Sequence, residues 1–367
     1  MHGYQNKFLM HRLVFIVGFL IVSISSCRQK HEKISSAPKH MLSDYRFFRG
    51  SLSDLVPAEG VMPYDLNTSL FSDYAHKSRF VKMPEGQAAN YHPKDVLDFP
   101  EGTTLIKNFF YFNNEQKPED GKRIIETRLL IKRNNEWETL NYVWNESQTD
   151  AILDITGDII PVSWVDHDGK KRDINYIIPN KNQCKSCHNS GGKIIPIGPK
   201  VANLNKDFTY KNGTENQLIH WQKTGILQGF DANIDQPKSA EWGSEKASLH
   251  DRAMAYLDIN CAHCHNSKGA ANTSGLHLEM GAAMDINLGI FKATVSAGGG
   301  TGGHTYSIVP GSSSTSVMIN RMKSTNPGVM MPEVGRTVVH EEGVKLIAEW
   351  IDKMDPAQFK QGAAELK

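Results

Sequence analysis

Between about residues 44 and 178, apolar and polar positions alternate with period two. Arg123 to Arg133 is the clearest stretch: Ile125, Thr127, Leu129 and Ile131 fall on one face, and Glu126, Arg128 and Lys132 on the other. A half-buried antiparallel strand has this pattern. Further strands are predicted over Arg79 to Met83, Thr103 to Phe112, Trp137 to Trp144, Ala151 to Ile155, Val162 to Val165 and Ile174 to Ile178. Asn134-Asn135 and Asp166-His167-Asp168-Gly169 carry the turn chemistry of hairpins, so the region reads as an all-β antiparallel meander or sandwich. Its aromatics, among them Phe109, Phe110, Tyr111, Trp137 and Trp144, are expected in the core and in cross-strand pairs.

The alternation stops after Ile178. Residues 179–245 contain Gly- and Pro-rich loops, Ser190-Gly191-Gly192 through Ile197-Gly198-Pro199. A short helix follows, introduced by a capping box Thr214-Glu215-Asn216-Gln217 and ended at Gly225. Few strand signals occur from Lys206 to Trp242. Residues 246–357 switch to helical spacing. Ser248 can cap a helix on which Leu249, Ala253, Tyr256, Leu257 and Asn260 share a face. Val317 to Met322 forms a short helix after the Ser312 to Ser316 turn. Glu341 and Glu342 start a last helix with an apolar stripe of Val344, Ile347, Ala348, Ile351 and Met354. The expected fold class is multidomain: a β-rich domain (44–178), a loop-rich module (179–245), an α-helical domain (246–357) and a tail (358–367).

The N-terminus adds a location. Lys7, His11 and Arg12 precede the apolar run Leu13 to Ile24, which is short for a membrane span and reads as a signal peptide, residues 1–26. Ile24-Ser25-Ser26-Cys27 has the form of a lipobox, so Cys27 is the expected lipidation site. Residues 27–43 form a polar, basic tether. The chain is thus expected to be an exported lipoprotein of the cell envelope, held on the inner or outer membrane by its lipid and facing the periplasm or cell surface. A formal net charge of +1 with 22% charged residues favours neither nucleic-acid nor bulk membrane binding.

Cysteine usage changes the picture most. Apart from Cys27, all cysteines lie in two motifs, Cys184-Lys185-Ser186-Cys187-His188 and Cys261-Ala262-His263-Cys264-His265. Two thiols three positions apart can add across the vinyl groups of one haem while the adjacent imidazole takes the iron. A four-thiolate zinc cage or a redox dithiol would leave both histidines unexplained. With 15 His among 367 residues, chance would put one after both motifs about 0.2% of the time. Two covalently attached haem c groups are expected, with His188 and His265 as the iron ligands.

For the second haem, Met330-Met331-Pro332-Glu333 offers a thioether axial ligand. Met331 is chosen because the following proline stiffens the loop. Met330 is its rival, while Met318 and Met322 are expected to fill the haem edge or core. The first haem has no such partner, since no methionine lies between His188 and Met254. Met83, His220 and His250 are candidates for its sixth ligand, His76 and His92 weaker ones, and an open iron is a further alternative. Gly298 to Gly303 formally contains Gly-x-Gly-x-x-Gly but lacks the strand and helix of a dinucleotide site. No catalytic triad or paired-carboxylate arrangement can be argued.

Several runs together resemble a bacterial family of dihaem c-type cytochromes: Asn175-Tyr176-Ile177-Ile178-Pro179-Asn180, Ile197-Gly198-Pro199-Lys200, Tyr256 to His265, and Met331-Pro332-Glu333-Val334-Gly335-Arg336. The resemblance covers roughly residues 44 to 355. It implies haem binding and electron transfer to redox partner proteins in the envelope, with residues 246–357 a cytochrome c-like domain. A peroxidase-type dihaem enzyme and a cytochrome subunit of an envelope dehydrogenase are the alternatives.

Overall fold

The period-two stretch forms a six-stranded antiparallel sheet of β1 (Val61–Tyr64), β2 (His76–Lys82), β4 (Thr104–Phe112), β5 (Lys122–Arg133), β6 (Glu136–Trp144) and β7 (Ala151–Asp154), in that order. The short β3 (Ala89–Asn90) stands apart. The computed structural model describes residues 37–295 and 298–359. The expected signal peptide, Cys27 and the tether up to residue 36 lie outside the described residues, as does the tail from 360. The described residues from Lys39 on form one compact unit. Among them no helix is long and apolar enough to cross a membrane.

All seven predicted strands are present and end within one residue of their expected C-terminal ends, while β2, β8 (Asp158–Val165) and β9 (Lys171–Ile178), which pairs with β8, begin three or four residues earlier than the sequence indicates. Asn134 and Asn135 both have positive φ, 53° and 60°, as the tight turn between β5 and β6 requires. The five aromatics are buried. One face of the sheet packs Phe80, Ile106, Leu129, Leu140 and Tyr142 under Leu42, Phe47 and Phe48 from the preceding segment. A bulge between Phe109 and Phe110 places Ile124 on this face and Ile125 on the other, so the simple alternation read for Arg123 to Arg133 breaks at its start.

The opposite face is covered at its ends by two separate clusters. Val81, Leu105 and Trp137 pack with Val201, Leu204, Leu218 and Trp221. Phe109, Tyr111 and Ile125 pack with Val162, Trp164 and Tyr176 of the β8–β9 hairpin. Full burial of each such side chain contributes about 1.5–3 kcal/mol. Between the clusters a polar row crosses four strands in register: Arg79 on β2, Lys107 on β4, Arg128 on β5 and Asn141 on β6. The polar half of the alternation therefore faces the interior here.

Residues 179–245 are less loop-like than expected. They include α1 (Lys181–His188), the hairpin β10 (Asn189–Ser190) with β11 (Lys193–Ile194), α2 (Val201–Leu204), the hairpin β12 (Asp207–Tyr210) with β13 (Gly213–Asn216), α3 (Gln217–Lys223) and β14 (Leu227–Gln228), which pairs with β3. The expected cap at Thr214 is corrected: Thr214 pairs with Thr209 across the hairpin, and Asn216 caps α3 by accepting from the Leu218 N–H. Gly225 follows the helix with φ 76°. The three helices α4 (Leu249–Leu257), α5 (Val317–Lys323) and α6 (Glu341–Asp352) match the sequence reading and share one core of Leu257, Ile319, Ile347 and Trp350. Gly343 lets α6 approach α4, because a Cβ there would run into the Tyr256 ring.

Candidate functional site

The first motif begins where β9 ends. Asn180 caps α1 by accepting from the Asn182 and Gln183 N–H groups, and Gln183 reaches back to the Asn180 N–H, a capping box that fixes the start of the helix. The Asn141 side chain donates to the Pro179 carbonyl at 2.6 Å, and the Cys184 thiol lies 3.9 Å from Asn141 Oδ1, so the helix sits on β6. The second motif follows α4, capped by Ser248 as expected. The helix widens into a π-helical stretch, Asp258–Ala262, that carries Cys261. Lys200 binds the Asp258 carboxylate at 3.0 Å, joining the loop after the first motif to the second.

The two motifs touch. Cys264 Sγ lies 3.8 Å from the Ser186 carbonyl, and Gly191 N–H donates to the Lys268 carbonyl at 2.8 Å. The Cys187 thiol donates to Cys264, which raises Cys187 and lowers Cys264. Burial raises Cys184 and pushes Cys261 up to about 12. Among the described residues no three His, Cys, Asp or Glu side chains converge on a bare metal ion.

Each motif histidine has one ring nitrogen committed. His188 Nδ1–H donates to the Ile195 carbonyl at 2.7 Å. His265 Nδ1 lies 3.0 Å from Ser274 Oγ, whose own hydrogen goes to the Ala271 carbonyl, so the imidazole donates. Both rings thus keep Nε2 as the free lone pair, the arrangement of a metal-ligating histidine held by an outer partner. Burial brings both down to about 4, leaving them neutral near pH 7.

All six motif residues line one cavity of ≈610 Å³. Met331 lines it as well, whereas Met330 is buried beside it and does not. Met318 and Met322 line the same space. The Met331 loop is held from two sides. Arg336, buried, donates to the carbonyls of Met331 at 2.9 Å and Ser324 at 2.8 Å. Asp73, from the chain between β1 and β2, accepts from Thr337 N–H at 2.6 Å, Val338 N–H at 3.0 Å and the Thr337 hydroxyl at 2.9 Å.

The candidate sixth ligands of the first haem fare differently, for none of Met83, His220 and His250 is among the cavity-lining residues. Met83 is in the cluster with Val81 and Trp221. His220 is half-buried: it stacks on Tyr210 at 3.6 Å and binds Glu215 at 2.7 Å. His250 is exposed, and its Nδ1 accepts from Trp350 Nε1 at 3.3 Å. The cavity wall instead includes Arg79, Lys107 and Arg128. Arg79 pairs with Asp65 at 2.9 Å, and Arg128 with Glu126, which also accepts from Tyr176. Sequence reading missed these cations because on a half-buried strand they look like a solvated face. Their signal was three cations brought opposite one another once strand register is known.

The donor set fits covalent haem: two thiol pairs, two neutral imidazoles with Nε2 free, a thioether, and apolar lining such as Leu278 and Ile259. Comparison with family models, curated proteins and solved structures finds no match to the chain. The family resemblance therefore rests on the motifs themselves.

Proposed function

We propose that the protein is a dihaem c-type cytochrome that carries electrons between partner proteins of the bacterial cell envelope, anchored to a membrane through lipidated Cys27. The observation that carries this reading is the convergence of Cys184, Cys187, His188, Cys261, Cys264, His265 and Met331 on one cavity, with both histidine Nε2 atoms uncommitted. Cys184 and Cys187 would hold one haem and Cys261 and Cys264 the other, with His188 and His265 as proximal ligands and Met331 as the axial thioether of the second. Haem, when bound, supplies reversible one-electron chemistry. The chain's own residues keep the imidazoles neutral and oriented, and the clamp of Arg336 and Asp73 fixes the Met331 loop. Residues 246–357, with three helices around one core, suit the cytochrome c-like domain, and 44–178 the β domain.

Contact between the two motifs favours a relay, because attachment sites this close bring two redox centres together. A peroxidase-type enzyme requires an open first iron, and a dehydrogenase subunit a substrate-oxidising partner. Spectra of the purified protein in both oxidation states, with and without peroxide, test the reading. Two low-spin haems inert to peroxide are the expected result; a high-spin haem that turns peroxide over would replace the carrier with the enzyme.

A further inference from the structure

One wall of the cavity holds more positive charge than the residues around it neutralise. Arg79, Lys107 and Arg128 lie opposite one another on β2, β4 and β5, and all three line the cavity. Arg79 pairs with Asp65 at 2.9 Å, but Asp65 also takes Lys206 at 2.8 Å. Arg128 holds both oxygens of Glu126, and the Tyr176 hydroxyl donates to the same carboxylate at 2.7 Å. Glu126 is a counter-charge for Lys107 as well, yet its oxygens are engaged elsewhere. Among the described residues the Lys107 side chain forms no ion pair and no hydrogen bond; its Nζ lies 4.8 Å from the centre of the Phe109 ring. Arg128 approaches that ring at 4.3 Å and Lys77 at 5.9 Å. Arg79, Lys107, Arg128 and Lys206 are thus four cations against two carboxylates, an excess of two before Lys77 is added.

Charge withdrawn from water is costly unless an anion answers it. Two buried lining atoms without a hydrogen-bond partner, Thr139 Oγ1 and His263 Nδ1, likewise imply an occupant with polar groups of its own. Haem c brings two carboxylates. Its thioether bonds form at one edge of the macrocycle, and its propionates leave from the opposite edge. Along the cross-strand row, Asn141 touches Cys184, and Arg128, Lys107 and Arg79 follow. Lys107 and Arg79 therefore stand two and three strand spacings from the attachment side, about 10 and 14 Å between backbones. Lys107 has three donors to offer, and Arg79 spends only part of its guanidinium on Asp65 and Ser69. The other guanidiniums of the lining, Arg321 and Arg336, are bonded to backbone carbonyls around Met331, on the side of the second motif.

We propose that Lys107 and Arg79 bind the propionate carboxylates of the first haem through charge-assisted hydrogen bonds, so that the inner face of the sheet orients this haem from the edge opposite Cys184 and Cys187. The inference rests on the dihaem reading. The test uses the full chain matured with its haems, comparing wild type with Lys107→Met, Lys107→Arg and Arg79→Gln. In the last, Asp65 keeps Lys206, so no carboxylate is orphaned. Two neutral variants on different strands keep the test open where one fails to mature. The readouts are covalent haem content, the propionate bending bands of the resonance Raman spectrum, and the reduction potential of each haem.

Lys107→Met and Arg79→Gln should each retain two haems and the Met331 charge-transfer band, and shift the propionate bands of one haem. Each should also lower the potential of the haem without Met331, because losing a nearby positive charge favours the oxidised iron. Lys107→Arg keeps charge and donors and should stay close to wild type in both readouts. Propionate bands unchanged in both neutral variants overturn the assignment, even where the potential falls, since that marks charge acting at a distance. So does a Lys107→Arg variant displaced as far as Lys107→Met, which marks packing. A wild-type chain without covalent haem would instead overturn the dihaem reading, and this inference with it.

Discussion

Arg336 is the single side chain on which the position of Met331 most depends. Only 5% exposed, its guanidinium donates to the carbonyls of Ser324 at 2.8 Å and Met331 at 2.9 Å, and at 3.2–3.4 Å to those of Val338, Met322 and Arg321. Arg336→Leu removes the two short charge-assisted bonds, each about 1.5–3 kcal/mol, and leaves both carbonyls without that donor. Part of the loss is returned, since burial opposes the cation and lowers its pKa. The net destabilisation should be about 2–4 kcal/mol. Arg336→Lys keeps a charge but presents a point donor that cannot span both carbonyls, and should lose about half as much. Urea unfolding followed by tryptophan fluorescence measures the stability, and the sulfur-to-iron charge-transfer band of the oxidised protein measures Met331 ligation. A leucine variant within about 0.5 kcal/mol of wild type and with its band intact would refute the clamp.

Met331→Ala should abolish that band and Met330→Leu preserve it; the reverse pattern exchanges their roles. His340 is held down at about 4 by burial, so its neutral ring is the folded form. Its contribution is complete above the ordinary histidine value and is lost as pH falls through 4, a span of about 3 kcal/mol at most. His340→Phe keeps the stack on Phe71 and should make the fall in stability between pH 6.5 and 4 shallower; an acid limb as steep as wild type, in denaturation at stepped pH, would count against it. Gly343→Ala forces a Cβ into the Tyr256 ring and should cost about 1–3 kcal/mol by the same urea assay, with a neutral result excluding a close α4–α6 crossing.

How far the sequence could be read follows from range. Period-two alternation and turn chemistry act over a few residues, so the strands from Arg79 to Ile178, the Asn134-Asn135 turn and the Ser248 cap were legible. The β12–β13 hairpin was missed although Phe208 and Tyr210 alternate ahead of Asn212-Gly213, because a four-residue strand gives little periodic signal. The cysteine motifs point to haem attachment from local sequence alone, and the proposed function rests on that expectation. Their contact through Cys264 and Ser186, the clamp of Asp73 on Thr337, and the row of Arg79, Lys107 and Arg128 depend on chain closure over 78, 264 and 49 positions. No local pattern encodes such pairings. Met83, flanked by Pro84 as Met331 is by Pro332, shows the limit: the two local contexts match, yet one thioether is in a hydrophobic cluster and the other lines the cavity.

The central claim is that both motifs carry covalent haem. Intact mass spectrometry with peptide mapping, on protein matured in a host that attaches haem c, tests it most directly. The account predicts the mass of two haems, one on the peptide containing Cys184 and Cys187 and one on that containing Cys261 and Cys264. A chain of unmodified mass with four free thiols, or with Cys187 bonded to Cys264, would contradict it.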